Sequence, residues 1–465
     1  MKKIYILIAW LAVGMAACQV EEDSVFDESS TERMNRMIAE CETMLLKPEH
    51  GWRMVYVPNP TKHGGFNVLM DFEKGGKVRM LTDFLEEESN TTYSFNASQG
   101  AVLSFDTYSC LHYLADPSNT PKGQGWEGEF EFVVQEITAD SIVFIGKKHG
   151  YKAVFFPAQA EDWTDLVPAA KKNLEHLRPQ DNAPFFRSLT MNATAVNLVY
   201  DPTTRAASVT WADPVNKKTE TFLTAIYGTK EGVAFMPALR INGVVVEELK
   251  YNETKDGFEV GTPGVIGELK YSDYPPIPFY NSYTELSTTS NSAALPLIGG
   301  FSLSINAILE VMNVTAGMNQ MSADLKSSYP LAVITGLKQF RISWNSPTDG
   351  MPEGQWLTFF GTNNLFREGE FFYHESIKGT SLREEGDQVR FELQKEIDVE
   401  TGEEETLTFE TDSTFAARMK ISGFTTVARR FFIEPQGFTV VPAGNDKFYF
   451  VSIADSKRWM LLSKN

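Results

Sequence analysis

The chain has 465 residues, of which 42% are hydrophobic and 22% charged, ordinary proportions for globular protein and enough length for about three domains. Its formal net charge of -19 repels phosphate backbones and anionic lipid heads, which argues against nucleic acid as a partner. The Cys count of 3 is too low for a disulfide framework in a chain this long.

The N-terminus speaks to the compartment. Lys2 and Lys3 form a short positive region, and Ile4 to Ala16 is apolar but too short to span a bilayer. The run ends in Met15-Ala16-Ala17-Cys18. Small residues before a cysteine resemble the lipobox of bacterial lipoproteins, in which a leader, here 1–17, is removed and the Cys18 thiol is lipidated. Met15 stands where leucine is usual, and a plain secretory leader cleaved after Ala17 is the other reading. The acidic run Gln19-Val20-Glu21-Glu22-Asp23 opens a tether over 18–29 and resembles the surface-export signal of Bacteroidetes lipoproteins. One acyl chain holds weakly, so stable retention requires more than one on Cys18. The expected location is the outer membrane, lipid-anchored and exposed at the cell surface.

A first domain is expected over 30–158. Met34, Met37, Ile38, Cys41, Met44 and Leu45 recur at helical spacing, Ser29 with Glu32 fits a capping box, and Pro48 and Gly51 end the helix. From Trp52 the period becomes two. Strands are expected at Trp52–Val57, Gly65–Phe72, Lys77–Thr82, Tyr93–Phe95, Ala101–Phe105, Glu129–Glu136, Ser141–Gly146 and Tyr151–Phe156. Eight short strands close a small barrel or pack as a sandwich, and alternation alone does not choose.

A second domain, 159–273, repeats the order: a helix from Ala158 to Leu177, then strands from Val196 to Val260, with hairpin turns at Asn242-Gly243 and Asp256-Gly257. Tyr274-Pro275-Pro276-Ile277-Pro278 is stiff and Ser287 to Ser292 is small and polar, so 274–303 reads as a linker. The remainder, 304–465, opens on a helical pattern from Ile305 to Leu325. It continues strand-like from Phe340 to Leu462, with an acidic hairpin about Thr401-Gly402. The expected fold is mainly β: successive antiparallel meanders, barrel-like or sandwich, each preceded by a short amphipathic helix.

Several stretches carry a family resemblance. Val102 to Tyr108, Leu111-His112-Tyr113-Leu114-Ala115-Asp116-Pro117, Gly125-Trp126-Glu127-Gly128-Glu129-Phe130-Glu131-Phe132, Asp140-Ser141-Ile142 and Gly146-Lys147-Lys148-His149-Gly150 resemble one Bacteroidetes surface lipoprotein family, known only as domain of unknown function four-three-zero-two. The resemblance covers about 25–260. It implies a surface lipoprotein encoded near SusC/SusD-like uptake proteins and a zinc-peptidase-like lipoprotein, and it carries over no functional residue.

The motifs are weaker than their outlines. Gly123-Gln124-Gly125-Trp126-Glu127-Gly128 matches G-x-G-x-x-G but opens a strand instead of a helix, so it reads as a hairpin arm. Trp126 at its tip is a candidate sugar-stacking platform. Cys110 with His112, and Ser104, Ser109, His112 and Asp116, give nominal nucleophile–base sets without an elbow or oxyanion donor. The histidines are scattered, with His374-Glu375 an isolated pair, and Asp398 to Glu405 lacks calcium-loop spacing. Lys147-Lys148-His149 is a basic turn, read as solvent-facing or as docking an acidic partner. Cys41 and Cys110 read as two buried thiols before a bridge.

No catalytic, cofactor-binding or metal-ligating residue is assigned. The candidate ligand-binding residues are Trp126, Tyr274 and Tyr280, with Tyr283, expected as exposed loop aromatics. The expected function is a non-catalytic accessory or ligand-binding component of a Sus-like nutrient uptake system, taking a glycan or peptide. The alternatives are a secreted hydrolase of glycosidase or peptidase type, and a structural or adhesive surface protein.

Overall fold

The computed structural model describes residues 29–98, 100–119, 125–178, 184–296, 337–345, 351–362, 370–410, 429, 432–444 and 446–464. The leader, Cys18, the tether before Ser29 and the helical pattern at Ile305 to Leu325 lie outside the described residues.

The period-two run that begins at Trp52 becomes eight antiparallel strands: β1 Trp52–Tyr56, β2 Phe66–Glu73, β3 Lys77–Thr82, β4 Ser89–Asn96, β5 Val102–Phe105, β6 Glu131–Ile137, β7 Ile142–Gly146 and β8 Lys152–Pro157. Each pairs with the next, and β8 returns to β1 with Met54 opposite Phe155, so the sheet closes as a barrel. Closure removes the exposed edges that a sandwich of these strands would keep. Trp52, Met54 and Tyr56 alternate inward with Phe72, Phe105, Phe132, Phe144 and Phe155, giving an aromatic core.

Both ends of this barrel are stoppered. Helix α1, Ser30–Leu45, carries the expected capping box between Ser29 and Glu32 and buries Cys41 and Leu45 in the core. The Trp52 indole donates to the Leu45 carbonyl at 2.9 Å and fixes the helix end. Helix α2, Cys110–Ala115, buries Cys110, Leu111 and Leu114 at the opposite end. Cys41 and Cys110 are both free and buried.

A turn of π-helix at Asp162–Leu166 leads into α3, Val167–Leu177. Leu166 and Val167 pack on Leu69 and Leu81 outside the first barrel, while Leu174 and Leu177 enter the core of the second. That barrel comprises β9 Phe186–Met191, β10 Thr194–Tyr200, β11 Ala206–Asp213, β12 Lys218–Gly228, β13 Gly232–Ile241, β14 Val244–Asn252, β15 Gly257–Val260 and β16 Glu268–Ser272, with β16 returning to β9. Asn242 and Gly243 both have positive φ, 51° and 80°, as a tight hairpin turn requires.

The expected linker is largely built into the next unit. Ile277 and Phe279 are buried, α4 spans Ser282–Thr289, and β17, Ser292–Pro296, is already a barrel strand. The small polar residues Ser287 to Ser292 read as loose chain because the serine and threonine hydroxyls that bond back to helix carbonyls here also suit turns. The third barrel adds β18 Leu337–Ser343, β19 Gln355–Thr362, β20 Glu370–Ser381, β21 Gln388–Leu393, β25 Phe438–Pro442, β26 Lys447–Ser452 and β27 Trp459–Lys464. Its ring closes through the β19–β20 pairing. Between β21 and β25 the chain forms a hairpin, β22 Lys395–Ile397 and β23 Glu404–Thr406, then β24, Thr408–Glu410, which pairs with the first half of β20. The protein is thus mainly β, three eight-stranded antiparallel barrels with a few short helices.

Candidate functional site

Three of the stretches singled out in the sequence, Gly125 to Gly128, Cys110 to His112 and Lys147 to His149, lie at the α2 end of the first barrel. The segment Gly125–Phe130 is held there residue by residue. The Trp126 ring centroid lies 5.4 Å from that of Phe66 and 5.4 Å from that of His63. Glu127, at a left-handed φ of 55°, accepts from Asn59 Nδ2 at 2.7 Å and Lys62 Nζ at 2.5 Å. Gly128 donates to the Leu114 carbonyl at 3.0 Å, and a Cβ there would lie 2.6 Å from Leu114 Cβ. The buried Glu129 carboxylate accepts from the backbone amides of Lys148 at 3.1 Å and His149 at 2.5 Å.

The basic turn therefore has an internal acidic partner. Its successive amides form a small anion cradle, and Glu129 fills it. Gly146 is required at its mouth, because a Cβ would come within 2.6 Å of Glu129 Cγ. Lys147 turns to Glu131 at 2.8 Å.

Trp126 is 7% exposed, which corrects its reading as an exposed platform. The stretch was expected as a hairpin arm, but the positive φ at Gly125 and Glu127 lays Gly125–Phe130 against the barrel end, while Gly123 and Gln124 lie outside the described residues. Tyr283 is also buried, in the third barrel core against Phe391. Tyr274 is 75% exposed, and Tyr280 is half-buried where its carbonyl accepts from Thr219. The structure does not bring these aromatics together with Trp126.

Beside Trp126, His63 is 8% exposed, and burial pushes its imidazole down to about 4, against the pull of Glu127. Burial raises the Glu127 carboxyl, but the bonds from Asn59 and Lys62 outweigh it and hold the group below the usual carboxylate range. Within the barrel, burial and the nearby Glu129 charge push the Tyr56 phenol well above its ordinary value.

The nominal nucleophile sets do not assemble. Cys110 and His112 lie on a helix, where residues two apart face different ways. Burial drives the Cys110 thiol up to about 12, far from the thiolate a nucleophile needs. Ser109 Oγ does meet His112 Nδ1 at 3.1 Å, but Asp116 is engaged by Ser118 at 2.7 Å. His374 meets Thr358 at 2.9 Å and is fully buried. No group of three metal-ligating side chains gathers among the described residues.

Outside the barrel end, His112 stacks on two aromatics. Its ring centroid is 4.3 Å from that of Phe130 at 15° and 5.8 Å from that of Tyr108 at 29°. Tyr108 is 64% exposed and Phe130 37%.

Sequence reasoning missed the joint between the first two barrels. Arg205 donates to Asp83 Oδ1 at 2.8 Å and to the Asp83 and Gly65 carbonyls, and its guanidinium sits 4.8 Å from the Phe66 ring centroid. Asn67 Nδ2 reaches both Asp83 and the Gly228 carbonyl. The joint between the second and third barrels is apolar, built from Phe186, Val199, Phe279, Val441, Tyr449 and Val451. Pairings between residues this distant in sequence leave no periodic trace.

These features define a class: a tandem triple-barrel protein whose first two barrels share a helix and a buried ion pair. Within it, residues 22–253 match a family model, and the chain carries over that span the domain described as Domain of unknown function (DUF4302). No curated protein matches the chain. It has a likeness to the crystal structure of the DNA polymerase III beta chain from Streptococcus pneumoniae TIGR4, at 12% identity over 93% of this chain and 97% of that one. The TM-score of 0.16 is too low to define a shared arrangement, and nothing follows from the likeness.

Proposed function

We propose that this protein is a lipid-anchored component of the outer-membrane surface that binds a nutrient glycan or peptide beside a Sus-like uptake system, without transforming it. The observation that carries this reading is the use made of the buried carboxylates. Asp83 is taken by Arg205, Asp162 by Lys230, Glu129 by the Lys148 and His149 amides, Glu375 by Arg429, Asp387 by Arg383 and Glu434 by Arg458. Among the described residues every buried carboxylate is thus engaged by a basic side chain or backbone amides, which is the work of a rigid scaffold. The lipobox-like Met15-Ala16-Ala17-Cys18 and the acidic residues after it support anchoring. The surface lipoprotein family named above supports SusC/SusD-like proteins or a zinc-peptidase-like lipoprotein as neighbours.

The test has two readouts on the full-length protein expressed in a Bacteroidetes host. Mass spectrometry should find acyl groups on Cys18, and protease added to intact cells should remove the protein. On a glycan and peptide array the detergent-solubilised protein should retain a ligand and leave it chemically unchanged. Unmodified Cys18, protection from the protease, or turnover of the ligand would overturn the reading.

A further inference from the structure

The aromatic ladder at the α2 end of the first barrel has no structural duty that explains its exposure. Tyr108 is 64% exposed, while the core is already closed beneath it by Cys110, Leu111 and Leu114. One exposed ring alone is ordinary, but a stacked row of three that opens to solvent is an exposed patch. Here the ring is also held. His112 stacks on Tyr108, and Phe130 stacks on His112 with centroids 4.3 Å apart. Asn119 Nδ2 donates to the Tyr108 hydroxyl at 3.0 Å. His112 is itself fixed by Ser109 at 3.1 Å. A ring oriented in advance loses little freedom when a ligand covers it.

The polar surroundings narrow the ligand. Asp106 and Thr107, just before Tyr108, are exposed, and Asp106 accepts from Ser94 at 2.8 Å, which leaves carboxylate lone pairs for hydroxyl donors. Asp116, on the turn after α2, is tied to Ser118 but keeps a second oxygen. The patch thus offers a flat apolar face beside acceptors and an amide. Among the described residues no lysine or arginine belongs to it, and the chain's charge of -19 disfavours an anionic ligand. A pyranose ring has the matching surface: an apolar C–H face and hydroxyls around its edge.

We infer that Tyr108, supported by His112 and Phe130 and flanked by Asp106 and Asn119, is a stacking subsite for a neutral sugar residue of a glycan. The inference rests on the binding function proposed above and places it at this end of the first barrel. A small quaternary ammonium cation would also suit an aromatic face and is the competing occupant.

The experiment uses the full-length protein in detergent, with uncharged oligosaccharides and choline as probes, and compares Tyr108→Ala, Tyr108→Phe, Phe130→Ala and Tyr274→Ala with the parent. The expected result is a neutral oligosaccharide whose affinity falls about tenfold in Tyr108→Ala and is largely kept in Tyr108→Phe and Tyr274→Ala. Unchanged thermal melting in Tyr108→Ala keeps a folding defect from imitating that loss. Binding that survives both Tyr108→Ala and Phe130→Ala, or that Tyr274→Ala abolishes, overturns this subsite and leaves the binding function standing. Choline bound in place of sugar overturns the sugar assignment. No ligand from either the oligosaccharide set or the peptide array overturns both.

Discussion

The Arg205 guanidinium leaves the second barrel and closes on the Asp83 carboxylate of the first at 2.8 Å, with Asp83 wholly out of solvent. Asn67 occupies the other Asp83 oxygen at 2.7 Å and Arg205 also reaches the Gly65 and Asp83 carbonyls, but none of these neutral partners supplies a compensating charge. Removing one side of such a pair strands a buried charge, which costs about 3–5 kcal/mol. Arg205→Ala should therefore lower the urea midpoint sharply. The paired change Asp83→Asn with Arg205→Met should recover part of the loss, since no charge is then left unmatched. A midpoint unmoved by Arg205→Ala would show that the joint does not depend on this ion pair.

The Glu129 cradle yields a second expectation. Glu129→Gln keeps the size of the side chain but gives up a charge-assisted contact to two amides, worth about 2 kcal/mol. Gly146→Ala should destabilise by a similar route, pushing the carboxylate off the turn. Amide hydrogen exchange would read both directly, as faster exchange at Lys148 and His149. Exchange unchanged in both variants would mean that the turn needs no internal anion.

Two buried histidines predict a pH dependence of stability. Burial holds His63 and His374 at about 4, with Arg341 adding to the effect at His374. In the unfolded chain an imidazole takes its proton near pH ~6.5. Between those values the unfolded state binds more protons, so stability falls as pH drops through that window and the loss is complete below it. The ceiling is ~3 kcal/mol for each histidine. Glu127 and Asp162 are held below their usual range, so their contribution is lost only at lower pH as they protonate. Denaturation midpoints measured across the window should slope, and His63→Phe should flatten part of that slope. An equal slope in the variant would remove His63 from the account.

Thiol chemistry gives a fourth. Cys41 and Cys110 are buried and pushed up to about 12, so neither reacts with a thiol reagent in the folded protein. Both should react once urea unfolds the chain. An acylated Cys18 adds nothing in either state, whereas a fast-reacting thiol in the native protein would mark Cys18 as unmodified.

How much of this was legible follows from the range of each signal. The strands of the first barrel were readable because inward residues alternate without interruption, as at Trp52, Met54 and Tyr56. Asn242-Gly243 announced its hairpin through backbone chemistry alone. β9 and β16 were not expected. Their residues mix inward apolar side chains with outward serine, threonine and lysine over short spans, and they become strands by pairing with each other. Trp126 was misplaced because its burial depends on His63 and Phe66, far back in the chain. Tyr108 was not singled out as a candidate, since its stacking on His112 needs the short helix Cys110–Ala115, which no pattern in the sequence predicted.

The matched domain stops at residue 253, one residue past β14, yet β15 and β16 are the staves that carry the second ring back to β9. A fragment cut there would present two raw flanks, on β14 and β9, each able to recruit another molecule's backbone. The recurring stretch of sequence and the physical module thus have different borders, and a recombinant piece meant to stay monodisperse should run through Ser272 at least.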